Sequence, residues 1–398
     1  MKIKTVKQKI KNIRIFDTTL RDGEQDSRAI PNGHEKISAA RVIDGIGVDV
    51  IEAGCLAANC SPDEFSAVRE IAQLKRSGEL HAEVCALARA KTDDIDTVER
   101  AGVSYVHIYM GTSDKHMSSK FRGITRATVI GSSVTAVRHA KAKGMKVLFS
   151  AEDATRTETD FLKEVYREVV AAGADEINVP DTLGVCESDN MRRIISEVKS
   201  AIGVHVPVHV HCHNDYGIAT ANTMSAILAG ADCAQVTVCG IGERSGNASL
   251  EQIVSLLHFN SRYGAYTTNV NPQLLTDAAR KIARLFHFNL SDDAPIVGKN
   301  AFTHKAGVHE DAVFRDPENY KFINPGYVGN ERRIIISKMS SARAINAIFN
   351  VRHINLNQTE SDAVISMVRS LNGRQISETE LAEFASQLRH CARAEDGL

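Results

Sequence analysis

Three histidines alternate in one β-branched run, Pro207-Val208-His209-Val210-His211-Cys212-His213-Asn214-Asp215. In an extended strand residues i and i+2 face the same side, so His211 and His213 can share one ion while Cys212 points away. His209 continues the alternation one layer deeper. Far upstream, the run Ile15-Phe16-Asp17-Thr18-Thr19-Leu20-Arg21-Asp22-Gly23-Glu24-Gln25 begins apolar and ends on a cation, a carboxylate and a glycine. That is the profile of a buried strand that stops at a reactive mouth. Asp22, His211 and His213 together would make a divalent metal site. Two imidazoles plus oxygen ligands suit zinc, manganese, cobalt or magnesium, and ligand type alone does not choose among them.

These residues need a scaffold that brings both halves of the chain together. Short β-branched runs recur at 13–19, 48–54, 82–88, 105–111, 146–153, 176–181, 207–214 and 233–241, and amphipathic stretches lie between them at 35–46, 62–74, 127–142, 160–172 and 190–202. The spacing of Phe161, Leu162, Val165, Tyr166, Val169 and Val170 has a period near 3.6, which marks a helix. Gly47, Gly102, Gly144, Gly173 and Gly230 each close a helical pattern just before the next strand, as left-handed C-caps do. Eight such units predict an α/β fold, a (β/α)8 TIM barrel followed by a smaller helical appendage. A doubly wound open sheet is the alternative, weakened by the lack of a Gly-rich phosphate loop after the first strand. The expected boundaries are an N-terminal extension over 1–12, a barrel over 13–285, and a linker with helical subdomain over 286–398.

Placed on that barrel, the polar exceptions fall at the C-terminal ends of strands: Arg21 and Asp22, then Ser150, Glu152 and Asp153, Asp181 and Thr182, His211 and His213, and finally Glu243, Arg244 and Asn247. This is the face on which such barrels hold active sites, and polarity at one end only points to an enzyme.

The chain has 398 residues, 43% hydrophobic and 24% charged, with a formal net charge of −1. That balance gives no global field for nucleic acid or an anionic membrane, and no apolar run reaches spanning length. The basic opening, Lys2 to Arg14, reads as a solvated extension rather than a binding arm. Eight scattered cysteines without a CxxC pair fit a reducing cytoplasm. The absence of tryptophan argues against a base-stacking platform.

The run from Phe16 to Gln25, with His211-Cys212-His213-Asn214-Asp215 and Gly240-Ile241-Gly242-Glu243-Arg244-Ser245-Gly246-Asn247, resembles the 2-isopropylmalate, homocitrate and citramalate synthases of the DRE-TIM metallolyase group, over about residues 13–340. The resemblance implies metal ligation by Asp22, His211, His213 and Asn247. It also implies that Arg21 steadies the substrate carbonyl oxygen, that Ser150, Glu152 and Thr182 surround the 2-oxo acid, and that Glu243 is an active-site carboxylate. His309, in Ala306-Gly307-Val308-His309-Glu310-Asp311-Ala312, and Tyr320 resemble a catalytic pair supplied from beyond the barrel, often by the partner subunit of a homodimer. The implied co-substrate is acetyl-CoA, and His309 is the natural base for its methyl proton because imidazole is poised near neutral pH.

For the other substrate, Leu148 stands where homocitrate synthases carry an arginine for a distal carboxylate. Val84 to Arg89 and His107 to Ser113 look more like isopropylmalate synthases. The expectation is an apolar 2-oxo acid, 2-oxoisovalerate before pyruvate, with His107 and Leu148 in its pocket. Homocitrate synthase stays open because residues 150–162 also resemble that branch. Cys239 and Cys55-Leu56 depart from the family pattern of Asn and Phe-Pro, which bears on pocket shape. A lyase of the hydroxymethylglutaryl-CoA type would carry a cysteine inside the loop Gly240–Asn247, and none is present. An end at Leu398 leads to the expectation of weak leucine feedback, since a regulatory domain usually follows.

Overall fold

The computed structural model describes residues 10–304 and most of 309–387. The start of the basic opening, the neighbours of His309 at 305–308, 310 and 311, and Cys391 lie outside the described residues. Contacts divide the chain into two compact units, Met1–Leu290 and Ser291–Leu398.

In the first unit, eight strands close into one barrel. They are β1 (Arg14–Asp17), β2 (Val50–Cys55), β3 (Glu83–Arg89), β4 (Tyr105–Gly111), β5 (Lys146–Glu152), β6 (Glu176–Asp181), β7 (Val208–Cys212) and β8 (Cys233–Val236). All neighbours pair in parallel, and β1 closes the ring on β8 with Arg14 opposite Cys233 and Asp17 opposite Val236. Every residue of β6 and β7 is buried, as a parallel sheet covered by helices requires.

The covering helices are α1 (Gly33–Gly45), α2 (Pro62–Ser77), α3 (Thr92–Arg100), α4 (Arg126–Ala142), α5 (Thr159–Ala171), α6 (Ser188–Ile202), α7 (Ala219–Leu228) and α8 (Leu250–Phe259), followed by α9 (Leu275–Leu285). The helices α3, α7 and α8 are additional to the stretches read from sequence. Segment α3 has only Ile95 and Val98 as large apolar anchors, and α7 has no charged residue to mark an outer face. The glycines nonetheless mark their ends, with Gly102 at φ 78° and Gly230 at φ 112°. The eighth strand stops five residues short of the expected end. A 3-10 turn, Val238–Gly240, follows it, and Cys239 (φ 61°) and Gly240 (φ 64°) leave the extended region.

Side chains fill the barrel in layers. At the base Arg14 binds Glu176 at 2.6 Å and Glu83 at 2.8 Å, and Lys146 reaches the same two carboxylates at 3.2 and 2.9 Å. His209 and the Tyr105 hydroxyl both contact Glu176 Oε2, at 2.7 and 2.5 Å. The barrel is therefore polar at both ends, which corrects the one-sided polarity inferred from sequence. The difference is that the basal charges neutralise one another. Above them lies an apolar layer of Phe16, Val50, Cys85, Tyr105, Leu148 and Cys233.

In the second unit, Thr303–His304 pairs in parallel with Arg333–Ile334. Helices α10 (Ala342–Val351), α11 (Gln358–Arg369) and a third over 380–387 gather around Ile336, Ile345, Phe349, Val364, Val368 and Leu381. The helical appendage expected after the barrel is present.

Asp17, fully buried at the end of β1, accepts from the Thr19 N–H at 2.9 Å and hydroxyl at 3.0 Å, and burial pushes its carboxyl up to about 7. The native state keeps a proton that the unfolded chain releases above about pH 4, so this group costs stability as pH rises from there to about 7. Asp17→Asn removes that cost. Its urea midpoint should gain on wild type between those two pH values, and a pH-independent difference contradicts the assignment.

Candidate metal centre and active site

The turn after β1 is built on one carbonyl. The N–H groups of Arg21, Asp22 and Gly23 all point at Thr18 O, at 3.1, 2.8 and 3.1 Å. This throws Arg21 and Asp22 into the barrel mouth beside the end of β7. Asp22 Oδ2 lies 3.4 Å from His211 Nε2 and 3.8 Å from His213 Nε2, and the two Nε2 atoms are 3.3 Å apart. All three residues are buried, and their ligand-type atoms form one cluster. A triangle with those edges has its centre about 2.0 Å from each corner, which is a metal–nitrogen and metal–oxygen bond length.

The electrostatics suit a cation. Burial opposes ionisation of Asp22, but the charges of Arg21, His211 and His213 hold its carboxyl well below the usual range. Burial, then His211, pulls His213 down to about 4, so its imidazole is neutral near pH 7, as a ligand must be. Asn247 donates to Asp22 Oδ1 at 3.0 Å and to Ile241 O at 3.1 Å, while its Oδ1 is buried with no partner among the described residues. The resemblance implies Asn247 as a further ligand, and Oδ1 is the atom of that side chain left to serve as one. Gly242 lets the loop close on this group. A Cβ there would stand 2.1 Å from Asn247 Nδ2 and 2.9 Å from Asp22 Oδ1.

Arg21 is held from two sides, by Asp22 Oδ2 and by Glu52 Oε2, each at 2.6 Å. Glu52 Oε1 in turn contacts His107 Nδ1 at 2.6 Å, and His107 Nε2 lies 2.7 Å from Ser150 Oγ, which accepts from Asn178 Nδ2 at 2.7 Å. Despite burial, Arg21 and His107 bring Glu52 down to about 2, so it is ionised. Burial lowers His107 against the pull of Glu52. The imidazole is thus neutral, with Nδ1–H on Glu52 and Nε2 accepting the Ser150 proton.

At the rim, Lys120 Nζ contacts both Glu152 oxygens at 2.6 Å, and Lys120 with His116 outweighs burial to keep Glu152 ionised. Thr182 Oγ1 accepts from the Asp153 N–H at 2.9 Å, and its carbonyl accepts from Arg244, which is pinned by Asp215 at 2.7 and 2.8 Å. Glu243 is exposed at the rim, with its N–H 3.4 Å from Asp22 Oδ1.

These side chains line a cavity of about 340 Å³ that includes Arg21, Asp22, His107, Ser150, Glu152, Thr182, His211, His213 and Glu243. Leu148 does not line it, which corrects its assignment to the substrate pocket. It points inward like Ser150 but one layer lower, fully buried in the apolar layer, and only a longer side chain would reach the cavity from there. His309 and Tyr320 belong to the second unit, where their rings lie 4.6 Å apart between centroids at a tilt of 41° and Tyr320 is 46% exposed. Glu52, Asn178, Gln235 and Lys120 were not singled out in the sequence. For Glu52 a signal existed, a lone carboxylate inside the apolar run Val50-Ile51-Glu52-Ala53.

Fold and site together define a closed parallel barrel with an acid–imidazole metal cluster at its carboxyl-terminal mouth. Residues 12–284 match the HMGL-like family model and residues 296–376 the homocitrate synthase post-HMGL domain-like model. The chain belongs to the HMGL-like family. It is 40% identical over 377 residues to the 2-isopropylmalate synthase of Sulfurisphaera tokodaii, covering 94% of this chain and 95% of that one. It is equally 40% identical over 378 residues to the (R)-citramalate synthase of Methanocaldococcus jannaschii, covering 94% of this chain and 74% of the relative. Among solved structures, hydroxymethylglutaryl-CoA lyase from Pseudomonas aeruginosa shares the fold, with a TM-score of 0.60 and 21% identity over 71% of this chain and 95% of that one.

Removing an outer partner of a metal ligand costs roughly 10–100-fold in affinity, and removing a ligand costs at least that. Calorimetric titration with Zn²⁺ or Mn²⁺ should therefore show weaker binding for Asp22→Ala and His213→Ala than for Asn247→Ala, with all three below wild type. Unchanged affinity in Asp22→Ala would exclude this cluster as the metal site.

Proposed function

We propose that this enzyme condenses acetyl-CoA with a 2-oxo acid in a Claisen-type acyl transfer and hydrolyses the thioester to a 2-alkylmalate and CoA, with 2-oxoisovalerate as the favoured acceptor, as in 2-isopropylmalate synthase. The observation that carries this reading is the buried Asp22–His211–His213 cluster with Arg21 beside it, in a chain 40% identical to a 2-isopropylmalate synthase across nearly all of both. Pyruvate, giving citramalate, is the second reading, favoured by the equal identity to a citramalate synthase.

A divalent ion held by Asp22, His211 and His213, with Asn247 as the further ligand that the resemblance implies, would supply Lewis-acid polarisation of the 2-oxo group. Arg21, fixed by Glu52, places a permanent positive charge where alkoxide develops. Thr182 and Ser150 position the acceptor acid. His309, with Tyr320 against it, takes the methyl proton of acetyl-CoA, and Glu152 and Glu243 are carboxylates available to the hydrolytic water. Two cations line the cavity mouth, Arg21 and Arg244, and both are already paired with carboxylates. The second carboxylate of 2-oxoglutarate would find no free cation there among the described residues, and an unpaired buried charge is costly. We further propose a cytoplasmic homodimer in leucine biosynthesis.

Assayed for CoA release with metal present, the protein should turn over 2-oxoisovalerate and pyruvate, lose activity on chelation and recover it on metal addition. His309→Ala should cut kcat by about 10²–10⁴-fold, and sedimentation should show a dimer. Preferential use of 2-oxoglutarate would overturn the substrate assignment, and turnover in excess chelator would overturn the metal assignment.

A further inference from the structure

We propose that Gln235 is a specificity-determining residue, whose amide, together with the Asn178 side-chain oxygen, holds water against the tail of the 2-oxo acid and so narrows the margin by which a branched apolar tail is favoured over a short one. The inference rests on the condensation reading above and deepens it.

The layering of the barrel locates the residue. Cys85, Tyr105, Leu148 and Cys233 belong to the apolar layer that floors the cavity. Alternation in their strands puts Leu87, His107, Ser150 and Gln235 one step higher, and all four line the cavity. With Asn178 they form the deep end, next to the apolar floor. An acceptor acid whose keto and carboxylate oxygens lie at the mouth directs its tail into this ring.

The ring is short of hydrogen-bond partners. Gln235 is 1% exposed, and neither Oε1 nor Nε2 has a partner among the described residues. Asn178 is also 1% exposed. Its Nδ2 is committed to Ser150, and its Oδ1 has no partner among the described residues. Because His107 takes the Ser150 proton, Ser150 offers the cavity only a lone pair. The deep end therefore presents three acceptors, Ser150 Oγ, Asn178 Oδ1 and Gln235 Oε1, and one donor, Gln235 Nε2. Buried groups of this kind are satisfied by ordered water when room remains. A methyl tail leaves that room. A branched tail displaces the water and supplies nothing in return, and a tail carboxylate meets mostly acceptors. Leu87 and Pro180 supply the apolar contact that a short tail needs.

Gln235→Leu removes both polar ends at similar volume. With Mn²⁺ present, dissociation constants for pyruvate and 2-oxoisovalerate are measured by calorimetry on wild type and variant, alongside kcat/KM for each acid. Preference for 2-oxoisovalerate relative to pyruvate should rise about tenfold in both measures, with Mn²⁺ affinity unchanged and Gln235→Glu failing to produce the rise. A ratio within twofold of wild type overturns the assignment. Gln235→Met serves if the leucine variant does not fold. A shifted binding ratio without any CoA release would support the role of Gln235 while overturning the condensation reading, and CoA release with an unshifted ratio would do the reverse. Failure of wild type to bind either acid overturns both.

Discussion

The Asp22 carboxylate is buried among a guanidinium, an amide and two imidazoles, and the amide and imidazoles come from positions that barrel closure supplies. Arg21 is its neighbour in the turn after β1, His211 and His213 come from β7 and its extension, and Asn247 comes from the loop after β8. Pairing of β1 with β8 is what brings the start of the barrel sequence to its end. The mouth of the cavity, the placement of Arg21 and the loop Gly240–Asn247 all follow from that closure.

Electrostatics explain why the arrangement suits a cation. Asp22 and Glu52 are both ionised and buried, with Arg21 between them as the compensating cation. A buried charge is tolerated only when paired and hydrogen-bonded. Arg21 divides its guanidinium between two carboxylates, and the Nε2 atoms of His211 and His213 are nitrogen donors of the kind a metal takes. Arg21, Asp22 and Glu52 together keep one net negative charge, which a bound cation would offset. At the base of the barrel the opposite solution is seen. Arg14 and Lys146 meet Glu83 and Glu176, and the set is closed on itself.

Much of the barrel was legible because its signals are local. Alternation placed His211 and His213 on one face, and the glycines at 47, 102, 144, 173 and 230 marked the turns into the sheet. The residues that escaped notice depend on depth, which a strand pattern does not encode. Leu148 and Ser150 have the same parity, yet one packs in the floor and the other lines the cavity. Gln235 and Asn178 look like ordinary strand residues until the ring they complete is assembled from several different strands. The helices α3 and α7 escaped because one is a single short segment with two large apolar anchors and the other has no charged residue to mark an outer face.

The account stands on one ion being shared by a carboxylate from the start of the barrel and two imidazoles from its seventh strand. X-ray absorption at the metal edge of the zinc- or cobalt-loaded protein reads that shell directly. The structure requires a first shell of nitrogen and oxygen with imidazole scattering from two histidines, falling to one in His211→Ala. A shell without imidazole, or one unchanged in that variant, would contradict it.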